Sequence, residues 1–87
     1  MDPYSLHFAE RALGELEQLD ASVSGRIIKR IQWLAENFDK LRPQPLTGQF
    51  SGLFKLRIGD YRAIYEVVSK RRALVVHSIG HRRDIYQ

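Results

Sequence analysis

A segment near the end of the chain, Gly-His-Arg-Arg-Asp-Ile-Tyr at 80–86, carries side chains that are useful at a phosphodiester. Arg82 or Arg83 can neutralise the negative charge that builds around phosphorus during a displacement. Histidine, here His81, is a residue type whose imidazole has an ordinary pKa of about 6.5, which suits proton transfer. Tyr86 can donate a proton or stack on a base. The segment indicates contact with a nucleic acid; the alternative is a disordered basic terminus with Tyr86 folded onto the core.

Two runs rich in β-branched and aromatic residues, 53–58 and 61–68, flank Gly59-Asp60 and predict a β-hairpin with a two-residue turn. Arg57 then lies directly opposite Arg62, which is repulsive unless an anion lies between them. Alternation sorts the side chains into a helix-facing set (Phe54, Leu56, Ile58, Tyr61, Ala63, Tyr65) and an open, basic set (Lys55, Arg57, Arg62, Ile64). The alternative is an ordinary solvated polar face, as antiparallel sheets commonly have.

The charge of the chain is unevenly distributed. The net charge is +4, yet residues 1–39 hold four Lys or Arg against seven acids, a net of −3, and residues 40–87 hold ten against three, a net of +7. Ten of the fourteen cations are arginines, whose planar guanidinium matches phosphate geometry better than an ammonium does. A polyanion is therefore the expected partner, with nucleic acid first.

The elements that must position these residues follow from periodicity. Tyr4, Leu6 and Phe8 alternate as a short strand, and a last β-rich run covers 73–79. Between them, apolar residues recur at helical spacing over 9–19 and 23–38, which predicts two helices whose solvent-facing sides carry Glu10, Glu15 and Glu17 in the first and Arg26, Lys29 and Arg30 in the second. A segment with Pro43, Pro45 and Gly48 separates the second helix from the hairpin. The order β-α-α-β-β-β predicts a two-layer α+β fold, an antiparallel meander with a helical hairpin packed on one face. With 87 residues, we expect one domain, 1–87.

Several classes of site and location are not expected. The chain has no cysteine, and the spacing of His7, His77 and His81 matches no paired-ligand pattern, so no metal or other cofactor is expected. No apolar run approaches the roughly 20 residues that a membrane-spanning helix needs, and the first residues do not resemble a secretory signal. We expect a cytoplasmic protein without membrane contact.

Particular motifs resemble a known family. The segment FKLRIGDYRAIYEV, followed by a strand and IGHRRDIY, resembles the RelE branch of the RelE/ParE toxin superfamily. The upstream segments FAERALGEL and KLRPQPLTG resemble the first helix and the helix-to-sheet loop of the same family. The motifs are short, but they occur in the same order and at similar separations, and together they cover nearly the whole chain.

The resemblance implies a type II toxin that inhibits translation as a metal-independent endoribonuclease, or mRNA interferase, cutting messenger RNA in the ribosomal A site. The implied reaction is attack of a ribose 2′-oxygen on the adjacent phosphorus. It also implies site residues: Lys55, Arg62, Arg82 and Tyr86 match catalytic positions, and Arg57 matches a phosphate-binding arginine. Arg83 is a further candidate for phosphate binding, and His81 is a further candidate for catalysis.

The general base is left open between two residues. Some family members carry a second lysine where this chain has Leu53, so a two-lysine proton transfer cannot be carried over. The candidates are His81, whose imidazole belongs to the side-chain type most often used for proton transfer, and Lys55, which must first lose a proton to act as a base. Arginine stays charged and is excluded as a base.

The resemblance also implies partners and an alternative function. A cognate RelB-like antitoxin is expected to silence the basic site, and operator DNA is expected to be bound only through the toxin–antitoxin complex. The alternative is a ParE-like toxin that shares the fold, inhibits DNA gyrase and cuts no RNA. A third hypothesis is a non-enzymatic RNA-binding module that stacks bases on Tyr61 or Tyr65. Both tyrosines are, however, predicted to face the helices.

Overall fold

The computed structural model describes residues 2–84, which form two helices and a five-stranded mixed sheet. In chain order the elements are β1 (Ser5–Phe8), α1 (Glu10–Glu17), α2 (Ala21–Asn37), β2 (Gln44–Pro45), β3 (Phe54–Ile58), β4 (Tyr61–Val68) and β5 (Ala73–His81). The strand order is β1-β5-β4-β3-β2, with β1 parallel to β5 and every other pair antiparallel. The predicted α+β fold and its antiparallel meander are confirmed. In the described residues, neither helix is long and apolar enough to span a membrane.

The β3–β4 hairpin has the predicted register. Ile58 pairs with Tyr61 across Gly59-Asp60, and Arg57 pairs with Arg62. Gly59 has a φ of +60°, in the left-handed region that glycine adopts without steric cost and that the first central position of a type II′ turn requires. The turn chemistry therefore sets the pairing that brings the two arginines face to face.

The core lies between the helices and one face of the sheet. Its buried members are Ala12, Leu16, Ile27, Ile31, Leu34, Ala35, Ile58, Ala63, Tyr65, Leu74, Val76 and Ile79. Tyr65 is 1% exposed, and burial raises the pKa of its phenol to about 12 because the phenolate is poorly solvated there. The ring centroid of Phe54 lies 5.8 Å from that of Tyr65. Ile58, Ala63 and Tyr65 thus face the helices as predicted, which makes Tyr65 a core residue and not a stacking platform.

The opposite face of the sheet is less open than its pattern predicts. Ile64, which the alternation assigns to the open basic face, is only 2% exposed. It pairs with the buried Ser78 and shares a groove with Phe50 and Leu53 from the segment before β3. The expectation that Ile64 lies on an open surface is therefore wrong, because the segment that precedes β3 covers this part of the face.

The structure has one strand more than predicted. Gln44 and Pro45 form β2, which pairs with Lys55 and Phe54 at the edge of the sheet. Two residues are too few for a period-2 pattern, and proline, which lacks an N–H, is typical of an edge strand and a weak signal for pairing. Because β2 pairs with only two residues of β3, no strand among residues 2–84 pairs with the outer edge of β3 at Arg57 and Ile58.

Helix α1 covers the edge of β5 that β1 leaves unpaired. β1 pairs with β5 only as far as Val76, and a register shift between Ile64 and Tyr65 marks a bulge in the β4–β5 ladder. Beyond that point, the N–H of Ile79 donates to the Oε1 of Glu15 at 2.8 Å. The helical pattern placed Glu15 on the solvent side of α1, so that prediction is wrong for this residue, whose carboxylate replaces a missing strand partner.

Arg72 connects the β4–β5 turn to distant parts of the chain. Its guanidinium donates to the Asp39 carboxylate at 2.6 Å and to the carbonyl of Asp2, and its Cζ lies 4.5 Å from the ring centroid of Tyr4. Arg72 has a φ of +46°, a conformation that costs a non-glycine residue about 1–2 kcal/mol. The hydrogen bond from Arg72 lowers the pKa of Asp39 below its ordinary value of 3.8.

Asp39→Asn should flatten the acid dependence of the free energy of unfolding. A carboxylate with a lowered folded-state pKa contributes stability at every pH above its unfolded value, and this contribution is lost as the pH falls through the folded-state pKa. Asparagine binds no proton there, so the variant should be less stable than the wild type near neutral pH, and the difference should shrink below about pH 4. Urea unfolding across the acid range measures this, and a difference that stays constant with pH would contradict the ion-pair assignment.

Candidate functional site

The turn at Gly59-Asp60 gathers arginines from two strands. The Nε of Arg57 donates to the carbonyl oxygen of Gly59 at 3.3 Å, and an amino group of Arg62 donates to the same oxygen at 3.2 Å. Arg62 also donates to the carbonyl of Tyr61 at 3.0 Å. The repulsion expected between the paired arginines is therefore eased by a shared carbonyl dipole, and both guanidinium groups are held at one end of the hairpin.

The same turn anchors the segment that follows β5. The backbone N–H of Arg82 donates to the carbonyl of Asp60 at 2.8 Å, and the N–H of Asp84 donates to the carbonyl of His81 at 2.9 Å. The chain thus turns sharply at the end of β5, beside the β3–β4 turn. Because the anchor uses a backbone group, the exposed guanidinium of Arg82 remains available to a ligand. Arg57 of β3, Arg62 of β4 and Arg82 of the segment after β5 are therefore all anchored at this turn.

His81 lies apart from that group and has a defined tautomer. It pairs with Tyr61, and the two rings meet nearly edge-on at a centroid distance of 5.7 Å. Tyr61 packs against the core, so its strand partner His81 lies on the same, helix-facing side of the sheet. Arg62 follows Tyr61 in β4, so alternation puts Arg62 on the opposite face from His81. The Nδ1 of His81 accepts the backbone N–H of Arg83 at 3.2 Å. A ring nitrogen that accepts is unprotonated, so the neutral ring carries its proton on Nε2.

Lys55 is the second residue of β3 and is half-buried. It pairs with Ile64 on one side and with Gln44 on the other. Arg57 lies two positions further along the same strand, and alternation puts it on the same face as Lys55. Lys55 and Arg57 both line a cavity of about 250 Å³ whose far wall includes Arg30 of α2. The lysine is therefore close to the arginine cluster along the strand and accessible from a groove.

The predicted site residues fall into three groups. The structure brings together Arg57, Arg62 and Arg82, with Lys55 beside them on β3; it places His81 on the helix side and Arg83 in the exposed turn that follows. Tyr86 lies outside the described residues. Within residues 2–84, no three His, Asp or Glu side chains are grouped closely enough to hold a metal ion.

Sequence reasoning missed a second basic feature, on α2. Arg26, Lys29, Arg30 and Trp33 line an open groove of about 680 Å³ together with Arg57, Ile58 and Gly59. The sequence pattern assigned the three α2 cations to a solvated face, and they are exposed. The available signal was their spacing at i, i+3, i+4 and i+7 with the tryptophan, which puts all four on one side of the helix. That this side borders β3 depends on the packing of the helix and was not predictable from spacing.

Comparison with known protein families finds one match that covers almost the whole chain. A family model described as the ParE toxin of the type II toxin–antitoxin system, parDE, matches residues 6–86. Toxin RelG of Mycobacterium tuberculosis is 27% identical over 86 residues, which are 98% of this chain and 98% of that protein. The mRNA interferase toxin RelE of Escherichia coli is 32% identical over 83 residues, which are 91% of this chain and 83% of that protein.

A solved structure shares the fold over nearly its full length. The toxin–antitoxin complex RelBE2 of Mycobacterium tuberculosis contains a chain that matches with a TM-score of 0.85 at 25% identity, covering 97% of this chain and 97% of that chain. The resemblance drawn from the FKLRIGDYRAIYEV and IGHRRDIY segments is confirmed at the level of the family and the fold.

Proposed function

This chain belongs to the ParE toxin family of type II toxin–antitoxin systems, and we propose that, as the toxin of such a pair, it cuts messenger RNA in the A site of the ribosome. The relatives include a protein named as an mRNA interferase, which supports RNA as the substrate. The observation that carries the proposal is the convergence of Arg57, Arg62 and the Arg82 segment on the turn at Gly59-Asp60. Two guanidinium groups held at the turn, with a third arginine anchored beside them through its backbone, suit a phosphodiester whose negative charge increases during reaction.

The proposed reaction is an in-line displacement at phosphorus. The ribose 2′-oxygen gives its proton to a base and bonds to the adjacent phosphorus, while the bond to the 5′-oxygen breaks and that oxygen takes up a proton. The products are a 2′,3′-cyclic phosphate, or the 3′ phosphate after hydrolysis, and a 5′ hydroxyl. Arg62 and Arg82 bind the phosphoryl oxygens most tightly when their charge is greatest, and Arg57 and Arg83 bind the flanking phosphates. Tyr86 stacks on a base or protonates the leaving oxygen.

The geometry favours Lys55 over His81 as the base. The lone pair of Nδ1 in His81 already accepts the N–H of Arg83, so the neutral ring presents an N–H donor at Nε2. A base needs a free lone pair, which a deprotonated Lys55 has in its position beside Arg57 on β3. We assign proton removal to Lys55 and hydrogen-bond donation to His81.

The test compares Lys55→Gln with His81→Gln by mapping message ends on translating ribosomes. Lys55→Gln should lower the cleavage rate by about 10²–10⁴-fold, the usual contribution of a general base. His81→Gln should cost less than about tenfold, since the glutamine amide keeps an N–H donor near the position of Nε2. Lys70→Gln, an exposed lysine in the turn between β4 and β5, is the matched control. Equal losses in the two site variants would refute the assignment of Lys55 as the base.

A cognate RelB-like antitoxin is the partner that this function requires. A structural relative was solved as a complex of a toxin with its antitoxin, which supports a complex of the same kind here. The basic cluster at Arg57, Arg62 and Arg82 favours an antitoxin segment rich in acidic residues, which would neutralise the charges that bind phosphate.

A second candidate function is inhibition of DNA gyrase, which the ParE name of the matching family favours. A gyrase inhibitor requires no RNA cleavage, so the two proposed functions differ in their target, which is DNA gyrase in one case and messenger RNA in the other. Purified toxin that blocks gyrase supercoiling of plasmid DNA while leaving ribosome-bound messages intact would establish this function and exclude the nuclease. Cut messages with unaffected supercoiling would do the reverse.

A further inference from the structure

The groove between α2 and β3 extends the basic surface away from the proposed cleavage site. One wall is formed by Arg26, Lys29 and Arg30 of α2, and the other by the end of β3 and its turn. A neighbouring cavity shares Arg30 and Arg57 with this groove and continues to Lys55 and Arg42. The two are therefore parts of one path that runs from β3 to the exposed side of α2, and within residues 2–84 no acidic residue lines it.

An exposed aromatic ring lies along this path. Trp33 is 38% exposed, which is unusual for so large an apolar side chain, and it lines both the groove and the adjoining cavity. The Cζ of Arg30 lies 4.0 Å from the centroid of the Trp33 ring. A guanidinium held against an indole presents a flat, cationic surface of the kind on which nucleobases stack.

The lining favours an RNA strand over a peptide helix. An amphipathic helix needs several apolar pockets at i, i+3, i+4 and i+7 spacing. Among the described residues that line the groove, Trp33 is the one exposed apolar side chain, since Ile58 is 5% exposed, and the apolar residues that the adjoining cavity adds, Leu41, Pro43 and Leu56, are half-buried. Cations spaced along a path with an aromatic platform between them match the alternation of phosphates and bases in a single strand.

We propose that this groove binds single-stranded RNA, with phosphates on Arg26 and Lys29 and a base stacked on Trp33, and that the bound strand is the same one that enters the cleavage site through Arg57. The identity of the strand as the substrate rests on the proposed function, whereas binding in the groove does not. The groove then serves as an extended subsite that holds the RNA on one side of the linkage to be cut.

The chain contains a built-in probe for this subsite. Trp33 is the single tryptophan in the sequence, so tryptophan emission reports on the groove alone. The ligand for the test is a mixed-sequence 2′-O-methyl RNA of about 12 nucleotides, a length within the range that basic single-strand grooves occupy. A 2′-O-methyl group has no proton to lose, so the probe cannot be cut by 2′-oxygen attack, and failure of binding is distinguishable from failure of cleavage.

We expect the RNA to quench Trp33 emission at a stoichiometry of one strand per protein. The double variant Arg26→Gln/Lys29→Gln should weaken binding by about tenfold or more at low salt and reduce the slope of log affinity against log salt by about 1.4, since two phosphate contacts are lost. The matched control is Lys70→Gln/Arg71→Gln, which removes the same two residue types from the exposed turn at the other end of β4 and should change affinity less than twofold.

Four results would overturn the proposal. Binding without a change in Trp33 emission, or equal losses in the groove and control variants, would show that RNA binds elsewhere. Two strands per protein would exclude one strand that occupies both the groove and the cleavage site. A change of Trp33 emission with the cognate antitoxin but none with RNA would assign the groove to a protein partner.

Discussion

Replacing Arg62 by alanine is expected to lower the rate of message cleavage on ribosomes by about 10²–10³-fold, the usual effect of losing one donor to a developing oxyanion. The same change should leave the free energy of unfolding within about 1 kcal/mol of the wild type, since single hydrogen bonds to carbonyls contribute about that much. Arg62 donates to the carbonyls of Gly59 and Tyr61, but it also lies opposite Arg57, so the variant loses a repulsion together with these bonds.

Arg82→Ala should cause a similar loss of activity, and its effect on the structure is simpler. Its contact with Asp60 is made by the backbone N–H, which alanine keeps, so the variant removes only an exposed guanidinium. The matched control is Arg71→Ala, an exposed arginine in the turn at the far end of β4. Cleavage rates come from mapped message ends, and stability comes from urea unfolding. Full activity in both Arg62→Ala and Arg82→Ala would refute the arginine cluster as the site of phosphoryl stabilisation.

The second large effect is the dependence of cleavage on the ribosome. We expect a ribosome-bound message to be cut at least about 10³-fold faster than the same RNA free in solution, because precise positioning of reacting groups corresponds to effective molarities of about 10⁵–10⁸ M. Within residues 2–84, the proposed site has four arginines that bind phosphate, at positions 57, 62, 82 and 83, but Lys55 is its one proposed base, and His81 lies on the opposite face from Arg62. A site with so little acid–base chemistry gains most from a substrate held in a bent, in-line geometry.

The comparison of free and bound RNA needs a control for contaminating ribonuclease. Arg62→Ala protein purified in parallel supplies it: if the variant has lost cleavage of ribosome-bound messages, any cleavage of free RNA that persists at the wild-type rate comes from another enzyme. Equal rates on free and ribosome-bound RNA by the wild type, with no cleavage by the variant, would refute the dependence on positioning while leaving the nuclease activity in place.

Prediction from the sequence was most successful where contacts are local. The Gly59-Asp60 turn and the alternation on either side are contained within about a dozen residues, and they set the Arg57–Arg62 pair as observed. Hairpin register follows from turn length and from the burial of one face, both of which are visible in the pattern. The same reasoning correctly assigned Tyr65 to the core.

Prediction failed where a residue's environment is supplied by a distant segment. Ile64 occupies a position that alternation assigns to the exposed face, but the segment that contains Phe50 and Leu53 covers it. Glu15 has the spacing of a solvent-facing helix residue, yet it accepts the N–H of Ile79, 64 positions away. Neither contact leaves a periodic signal, since each depends on how two elements pack and not on either element alone.

The sequence by itself determined the family, the order of the two helices and the four longer strands, and the strand pairing that opposes Arg57 and Arg62, because these depend on motifs and on side-chain alternation along short stretches. Only the tertiary structure decided which cations share a surface. The anchoring of Arg82 at Asp60 and the approach of Trp33 to the end of β3 are set by the packing of elements that are far apart in the chain. Packing is a property of whole faces in contact, and no single segment encodes it.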